Sequence, residues 1–197
     1  MYKIILKEAI NANKDFDVYE FVQKLSSSIH QKYRIAFLLV IPIVYKHLNS
    51  SQKGRIASFL KQFSNEGTEY LKKMLAINLK ELSFFIPEEV FSTICNNLLE
   101  SSNDNIRIPL IGSIISLKYH QNLNQFQNQI QKVVTSIGKD NSWRVRYTLA
   151  SSVHDLLSFS IISPPLKKEI VSCYSQLFLD PEQEVRNISI SNLGSAL

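Results

Sequence analysis

One two-residue motif recurs along the chain at a nearly fixed spacing. An apolar or aromatic residue followed by a basic one stands at Tyr33-Arg34, Leu71-Lys72, Ile106-Arg107, Val145-Arg146 and Val185-Arg186. The basic residues are 38, 35, 39 and 40 positions apart. That spacing is close to the roughly 40–47 residues of known helix-pair repeats. A single helix pair cannot bury its apolar face alone, so such units stack on one another into an elongated array with no single centre. Chains of this kind present a curved surface more often than an enzymatic pocket.

The residues after each motif repeat as well. Positions four, five, eight and eleven beyond its apolar member are Phe37, Leu38, Ile41 and Val44 in the first unit, and Leu75, Ala76, Leu79 and Leu82 in the second. They are Leu110, Ile111, Ile114 and Leu117 in the third, and Leu149, Ala150, Val153 and Leu156 in the fourth. The fifth unit has Ser189, Ile190, Leu193 and Ala196, with one polar departure. Steps of four, one, three and three keep these side chains on one helical face. The expected fold is all-α: an α-solenoid of about five antiparallel helix pairs in a right-handed stack, after an N-terminal segment over 1–15.

The five units are expected at about 16–48, 51–85, 87–119, 122–160 and 163–197. Pro87-Glu88-Glu89 and Ser163-Pro164-Pro165 read as helix starts, because proline needs no amide donor in the first turn and carboxylates face the positive end of the dipole. The Gln- and Asn-rich stretch 121–132 is read as helix, since Leu123, Phe126, Ile130, Val133 and Ile137 recur at helical steps, and Gly138 is expected to end it. The last helix carries Leu193, Ala196 and Leu197 rather than a polar capping face. Descent from a longer array and docking of this end on a partner are both compatible with that.

Composition narrows the functional classes. Apolar residues make up 45% and charged residues 20%, and 5 Gly and 6 Pro suit packed helices better than strands and turns. The longest nearly apolar run, Ile35 to Tyr45, is too short to span a bilayer. The first residues lack a secretory signal pattern, so the expected location is cytoplasmic, with the nucleus also open. Cys95 and Cys173 read as buried reduced thiols. The net charge of +5 is spread along the chain without a basic run, which favours a solvated surface over a nucleic-acid face. His30, His47, His120 and His154 lack zinc-motif spacing, and the five glycines form no phosphate-binding pattern. The expectation is therefore no enzyme, with no metal, cofactor or small-molecule substrate.

The turns carry the remaining information. An acid precedes the motif's basic residue by six in Asp140/Arg146, Asp180/Arg186 and Glu66/Lys72. Stacking sets each turn beside the next, so an acid can meet the base of a neighbouring unit. The expected ladder uses Glu66, Arg107, Asp140, Arg146 and Arg186, with Arg146 facing Asp180 or Asp104. The alternative is surface charges contributing at most about 1 kcal/mol per pair.

Asp140-x-Ser142-Trp143-Arg144-Val145-Arg146-Tyr147 resembles the turn motif of HEAT repeats, and more narrowly that of the scaffold (A, or PR65-type) subunit of type-2A serine/threonine protein phosphatase. Asp180-x-Glu182-x-Glu184-Val185-Arg186 resembles the following turn of that family, and Asn103-Asp104-Asn105-Ile106-Arg107 a degraded preceding one. Lys72-Lys73 matches a pair of basic residues there. The resemblance implies a hook-shaped scaffold that binds a phosphatase regulatory subunit along a ridge of intra-repeat turns, without the repeats that hold the catalytic subunit. The implied ridge residues are Lys72, Lys73, Asn103, Asp104, Ser142, Trp143, Arg144, Asp180 and Glu182. Two alternatives of other classes are a nucleic-acid-acting protein of similar architecture, such as a DNA glycosylase, and a helical-repeat transport adaptor.

Overall fold

The structure is a computed structural model that describes residues 17–119, 123–158 and 162–196, with the side chains of residues 193–196 outside that description. His120 and the N-terminal segment 1–15 lie outside the described residues. Ten α-helices and three short 3₁₀ turns account for nearly all of the rest, and no strand occurs among the described residues. The helices are α1 (Val18–Ser27), α2 (Gln31–Val44), α3 (Ser50–Glu66), α4 (Glu69–Leu82) and α5 (Glu88–Leu99). They continue as α6 (Asp104–Ser116), α7 (Gln127–Gly138), α8 (Trp143–Leu157), α9 (Pro164–Leu177) and α10 (Gln183–Ala196).

Local chemistry starts these helices. The Asp17 carboxylate accepts the Glu20 amide at 2.9 Å, and Asn49 with Gln52 forms a reciprocal capping box with both bonds at 2.9 Å. Thr68 and Ser163 cap α4 and α9 as Asp17 caps α1, each hydroxyl oxygen accepting one amide, from Leu71 and Leu166. The start of the fourth pair departs from the expectation. Leu123 to Phe126 is a 3₁₀ turn, and the α-helix begins only at Gln127. Leu123 and Phe126 are nonetheless buried, so the apolar spacing located the packing but not the local geometry.

The helices form two layers. The second helices of the pairs stack in the order α2, α4, α6, α8, α10, and the first helices α3, α5, α7 and α9 stack beside them, with α1 packed on α2. The repeated apolar positions are the seam. All sixteen of them in the first four units are at most 1% exposed. In the fifth unit Ser189 is fully buried, its hydroxyl donating to the Val185 carbonyl at 2.7 Å, whereas Ile190 is 59% exposed. Polar side chains stitch the second-helix layer together. The Ser113 hydroxyl reaches the Ala76 carbonyl at 3.2 Å, and the Asn192 amide reaches the Ala150 carbonyl at 3.0 Å.

Gly138 ends α7, but not through a left-handed residue, since no positive φ occurs among the described residues. Its role is close approach: a Cβ there would fall on the Cys173 sulfur of α9 and lie 3.3 Å from Leu149 Cδ2. Cys95 and Cys173 are both buried and unpaired, with burial pushing both thiols upward in pKa.

Candidate functional site

The motif arginines act first on their own turns. Arg34 Nε donates to the Ser28 carbonyl at 2.7 Å, and Arg107 Nη1 donates to the Ser101 carbonyl. Arg146 Nη1 donates to the Asp140 carbonyl at 2.6 Å, and Arg186 Nη1 to the Asp180 carbonyl at 2.5 Å. In all four the acceptor lies six residues back. These carbonyls sit in the connections between paired helices, where no helical amide can reach them. The guanidinium supplies the missing donor.

Two of the arginines then reach the following unit. Arg107 places Nε 2.7 Å and Nη2 2.8 Å from the two oxygens of Asp140. Arg146 grips Asp180 in the same fork, at 2.6 and 2.8 Å. Each aspartate also accepts an amide from its own turn: Ser142 N at 2.8 Å on Asp140, and Glu182 N at 2.9 Å on Asp180. Both pairs are shielded, with side chains 10% and 9% exposed for Arg107 and Asp140, and 11% and 4% for Arg146 and Asp180. The hydrogen bond from Arg146 is the main reason the Asp180 carboxyl titrates below its ordinary range. The same contacts raise both guanidinium values, Asp140 acting on Arg107 and Asp180 on Arg146.

The other expected ladder members behave differently. Glu66 is exposed and accepts from Gln62 at 3.1 Å, one turn back on its own helix, rather than meeting a base of a neighbouring unit. Lys72 makes no ion pair among the described residues, and the following turn holds Ser101 where the later turns hold Asp140 and Asp180, so it offers no carboxylate there. Arg34 lies with its guanidinium 5.8 Å from the Phe63 ring. The joint between the second and third units is held instead by the Asn103 amide on the Glu69 carboxylate.

Of the expected ridge residues, Asp180 is 5% exposed and taken up by Arg146, so its carboxylate is not offered to the surface. Ser142, Trp143, Arg144 and Asp104 come together. The Ser142 hydroxyl donates to Asp104 Oδ2 at 3.1 Å, and Arg144 Nη1 lies 3.9 Å from the same oxygen. The Arg144 guanidinium also sits 5.9 Å from the Trp143 ring, and Trp143 meets Tyr147 edge-on at 6.4 Å. Trp143 and Tyr147 are 38% and 37% exposed. Tyr147 was not among the expected ridge residues. Its signal was a position four after Trp143, which sets both rings on one face. Lys72 and Lys73 lie on α4, two units before the Trp143 turn, Glu182 is exposed on the fifth turn, and Asn103 caps α6. Between the third and fourth turns a depression of about 400 Å³ opens, lined by Ser101, Ser102, Arg107, Lys139, Asp140 and Asn141 among others.

Among the described residues no group of three His, Cys, Asp or Glu could hold a metal ion, and no helix is long and apolar enough to cross a membrane. No protein-family model matches the sequence, and no curated protein matches it. Solved structures do. A designed armadillo repeat protein in complex with the peptide (KR)4 superposes with a TM-score of 0.53 at 13% identity, over 89% of this chain and 80% of that one. A second designed armadillo repeat protein aligns over 92% of this chain and all of its own, at a TM-score of 0.42 and 13% identity. The first likeness shows the fold: an armadillo-type α-solenoid.

Proposed function

We propose that the chain is a non-catalytic scaffold that binds partner proteins through its intra-repeat turns, with the fourth turn as the centre of the binding surface. One observation carries this reading. Trp143, Arg144 and Tyr147 stand together and exposed on a turn whose backbone is fixed from both sides by buried Arg–Asp forks. Tryptophan, tyrosine and arginine dominate the energetics of protein interfaces, and a rigid platform lowers the ordering cost of using them.

The charge pattern supports a protein partner over nucleic acid. Among the exposed and half-buried charges of the turns both signs are interspersed: Glu69 with Lys72 and Lys73, Asp104 with Lys139 and Arg144, and Glu182 with Arg186. A nucleic-acid surface concentrates positive charge along one continuous groove. The finer reading follows from the turn motif's resemblance: the partner is a regulatory subunit of a type-2A-like phosphatase complex. Capture of such a purified subunit by the immobilised chain, compared with its Trp143→Ala and Arg144→Ala variants, tests both levels. Binding lost in the variants supports the surface and the partner. Undiminished binding in both moves the surface elsewhere, and no binding to the unaltered chain ends the phosphatase reading.

A further inference from the structure

The joint between the first and second units lacks the fork that closes the later joints. Arg107 and Arg146 spend Nη1 on their own turn and the Nε/Nη2 edge on the aspartate of the next. Arg34 is turned the other way. It spends Nε on its own turn, donating to the Ser28 carbonyl at 2.7 Å, and lies over the buried ring of Phe63 at 5.8 Å. Among the described residues no acceptor meets either Nη nitrogen.

The following turn does carry an acid at the matching place, Glu66, six before Lys72. Asp140 and Asp180 stand beyond the ends of α7 and α9, each held by an amide two residues on, Ser142 N or Glu182 N. Glu66 is instead the last residue of α3 and accepts from Gln62 at 3.1 Å. Two residues on stands Thr68, whose hydroxyl caps α4. The helix therefore keeps Glu66. Where later joints hold a fork, the first holds a cavity of about 280 Å³, lined by Arg34, Ser26, Gln62, Phe63 and Glu66 among others.

The first layer is open at the same joint. α3 packs on α5, α5 on α7 and α7 on α9, whereas α1 packs on α2 and stands off from α3. A second depression of about 230 Å³ continues between α1 and α3, sharing Phe59 and Gln62 with the first and lined also by Tyr19, Gln23 and Arg55. Arg55 crosses the gap only to the Tyr19 hydroxyl, at 3.5 Å. The groove thus has half-buried Phe59 in its middle and one guanidinium in each of its two parts.

We propose that this groove docks a segment of a partner protein that presents two carboxylates on either side of an apolar residue, one for Arg34 and one for Arg55. The chain supplies the precedent for the first contact. Where the motif arginine of an inner joint uses all its edges, what it takes across the joint is a side-chain carboxylate. Two arginines against the single Glu66 set the sign of the segment, and Phe59 between them sets its apolar centre. The site stands apart from the Trp143 turn and is a second contact, not an extension of the first.

The test uses a capped seven-residue peptide with aspartate, leucine and aspartate at its second, fourth and sixth places and glycine or serine elsewhere, titrated into the full chain labelled with nitrogen-15. Saturable shifts are expected for the Arg34 Nε–H and for the amide of Gly67, which lines the cavity. Asparagine in place of both aspartates should weaken binding by about tenfold or more, with the protein untouched. Arg34→Gln should weaken it to a similar extent, and Glu66→Gln should tighten it by removing a like charge from the wall. Absence of saturable binding, or equal binding of the asparagine peptide, overturns the proposal. Inorganic phosphate that shifts the same resonances at lower concentration than the peptide makes the groove an unselective anion site and overturns it too. So does urea unfolding in which Arg34→Gln and Glu66→Gln together cost clearly less than the sum of the single changes, since the chain's own carboxylate then closes the fork.

Discussion

Arg146 joins three segments of the chain through one side chain. Its Nε and Nη2 hold both oxygens of Asp180 at 2.6 and 2.8 Å, while Nη1 holds the Asp140 carbonyl at 2.6 Å. Asp140 is in turn the residue that Arg107 grips from the preceding unit. The third, fourth and fifth turns thus form one continuous polar chain, whereas Lys72 and Ser101 break it between the second and third units.

The first prediction concerns stability. Arg146→Ala should lower it by about 2–4 kcal/mol, because a shielded aspartate is left without its charge partner. Arg107→Ala should behave alike, and Lys72→Ala should change stability by less than about 0.5 kcal/mol. Urea unfolding of the three variants measures this. Replacing Arg146 and Asp180 together, by methionine and asparagine, should cost less than the sum of the single changes, since the penalty of each lies largely in the orphaned partner.

Acid should act through the same fork. The Asp180 carboxyl titrates below its unfolded value, chiefly because of the Arg146 hydrogen bond. A lowered value in the folded state means stability fully present above roughly pH 4 and lost as pH falls through the folded value. In Arg146→Ala the buried carboxylate is relieved by protonation instead. The stability gap between the unaltered chain and Arg146→Ala should therefore narrow below about pH 4. A gap that stays constant from pH 7 to pH 3 would mean that Asp180 contributes nothing through its charge.

Much of the stack was legible because its cause is periodic. A buried face recurring in phase constrains sequence at four positions per unit, and those positions are the seam. The acid-to-base spacing of six was also visible, and it names Asp140, Arg146 and Asp180. What it could not show is which side of the turn each base serves. The arginine spans both its own carbonyl and the next unit's carboxylate, and the lysine at the equivalent place in the second unit does neither. Glu66 fitted the spacing but sits on the exposed end of α3, where Gln62 is nearer than any base. Ile190 fitted the apolar pattern but is exposed among the described residues, because periodicity records a face and not what covers it.

Gly138 gives a packing prediction. Its backbone is ordinary, so Gly138→Ala has a propensity gain of up to ~1 kcal/mol in its favour. The added carbon, however, lands on the Cys173 sulfur and presses on Leu149. Net destabilisation of about 1–2 kcal/mol is expected, from overpacking between α7 and α9. Cys173→Ala in the same protein should recover part of the loss. If Gly138→Ala alone is neutral, α9 can move aside and the contact is not a constraint.

The last prediction separates the binding surface from the scaffold that holds it. Arg144 and Arg146 are two residues apart on the first turn of α8, yet their surroundings differ. The Arg144 side chain is 64% exposed and lies 3.9 Å from Asp104, while that of Arg146 is 11% exposed inside its fork. Arg144→Ala should leave the melting temperature almost unchanged, because a pair that open to solvent contributes at most about 1 kcal/mol. It should weaken partner capture, since the guanidinium leaves the exposed Trp143 face. Trp143→Ala should weaken capture further, again with little effect on melting, as the ring's packing is shared with exposed Tyr147. Arg146→Ala should show the reverse order, with a large stability loss and capture reduced in proportion to the unfolded fraction. Measuring melting and capture on the same three preparations decides the assignment. If Arg144→Ala unfolds the chain while Arg146→Ala only weakens capture, the roles of surface and scaffold are exchanged. If none of the three alters capture of a partner that the unaltered chain binds, the fourth turn is not the docking surface.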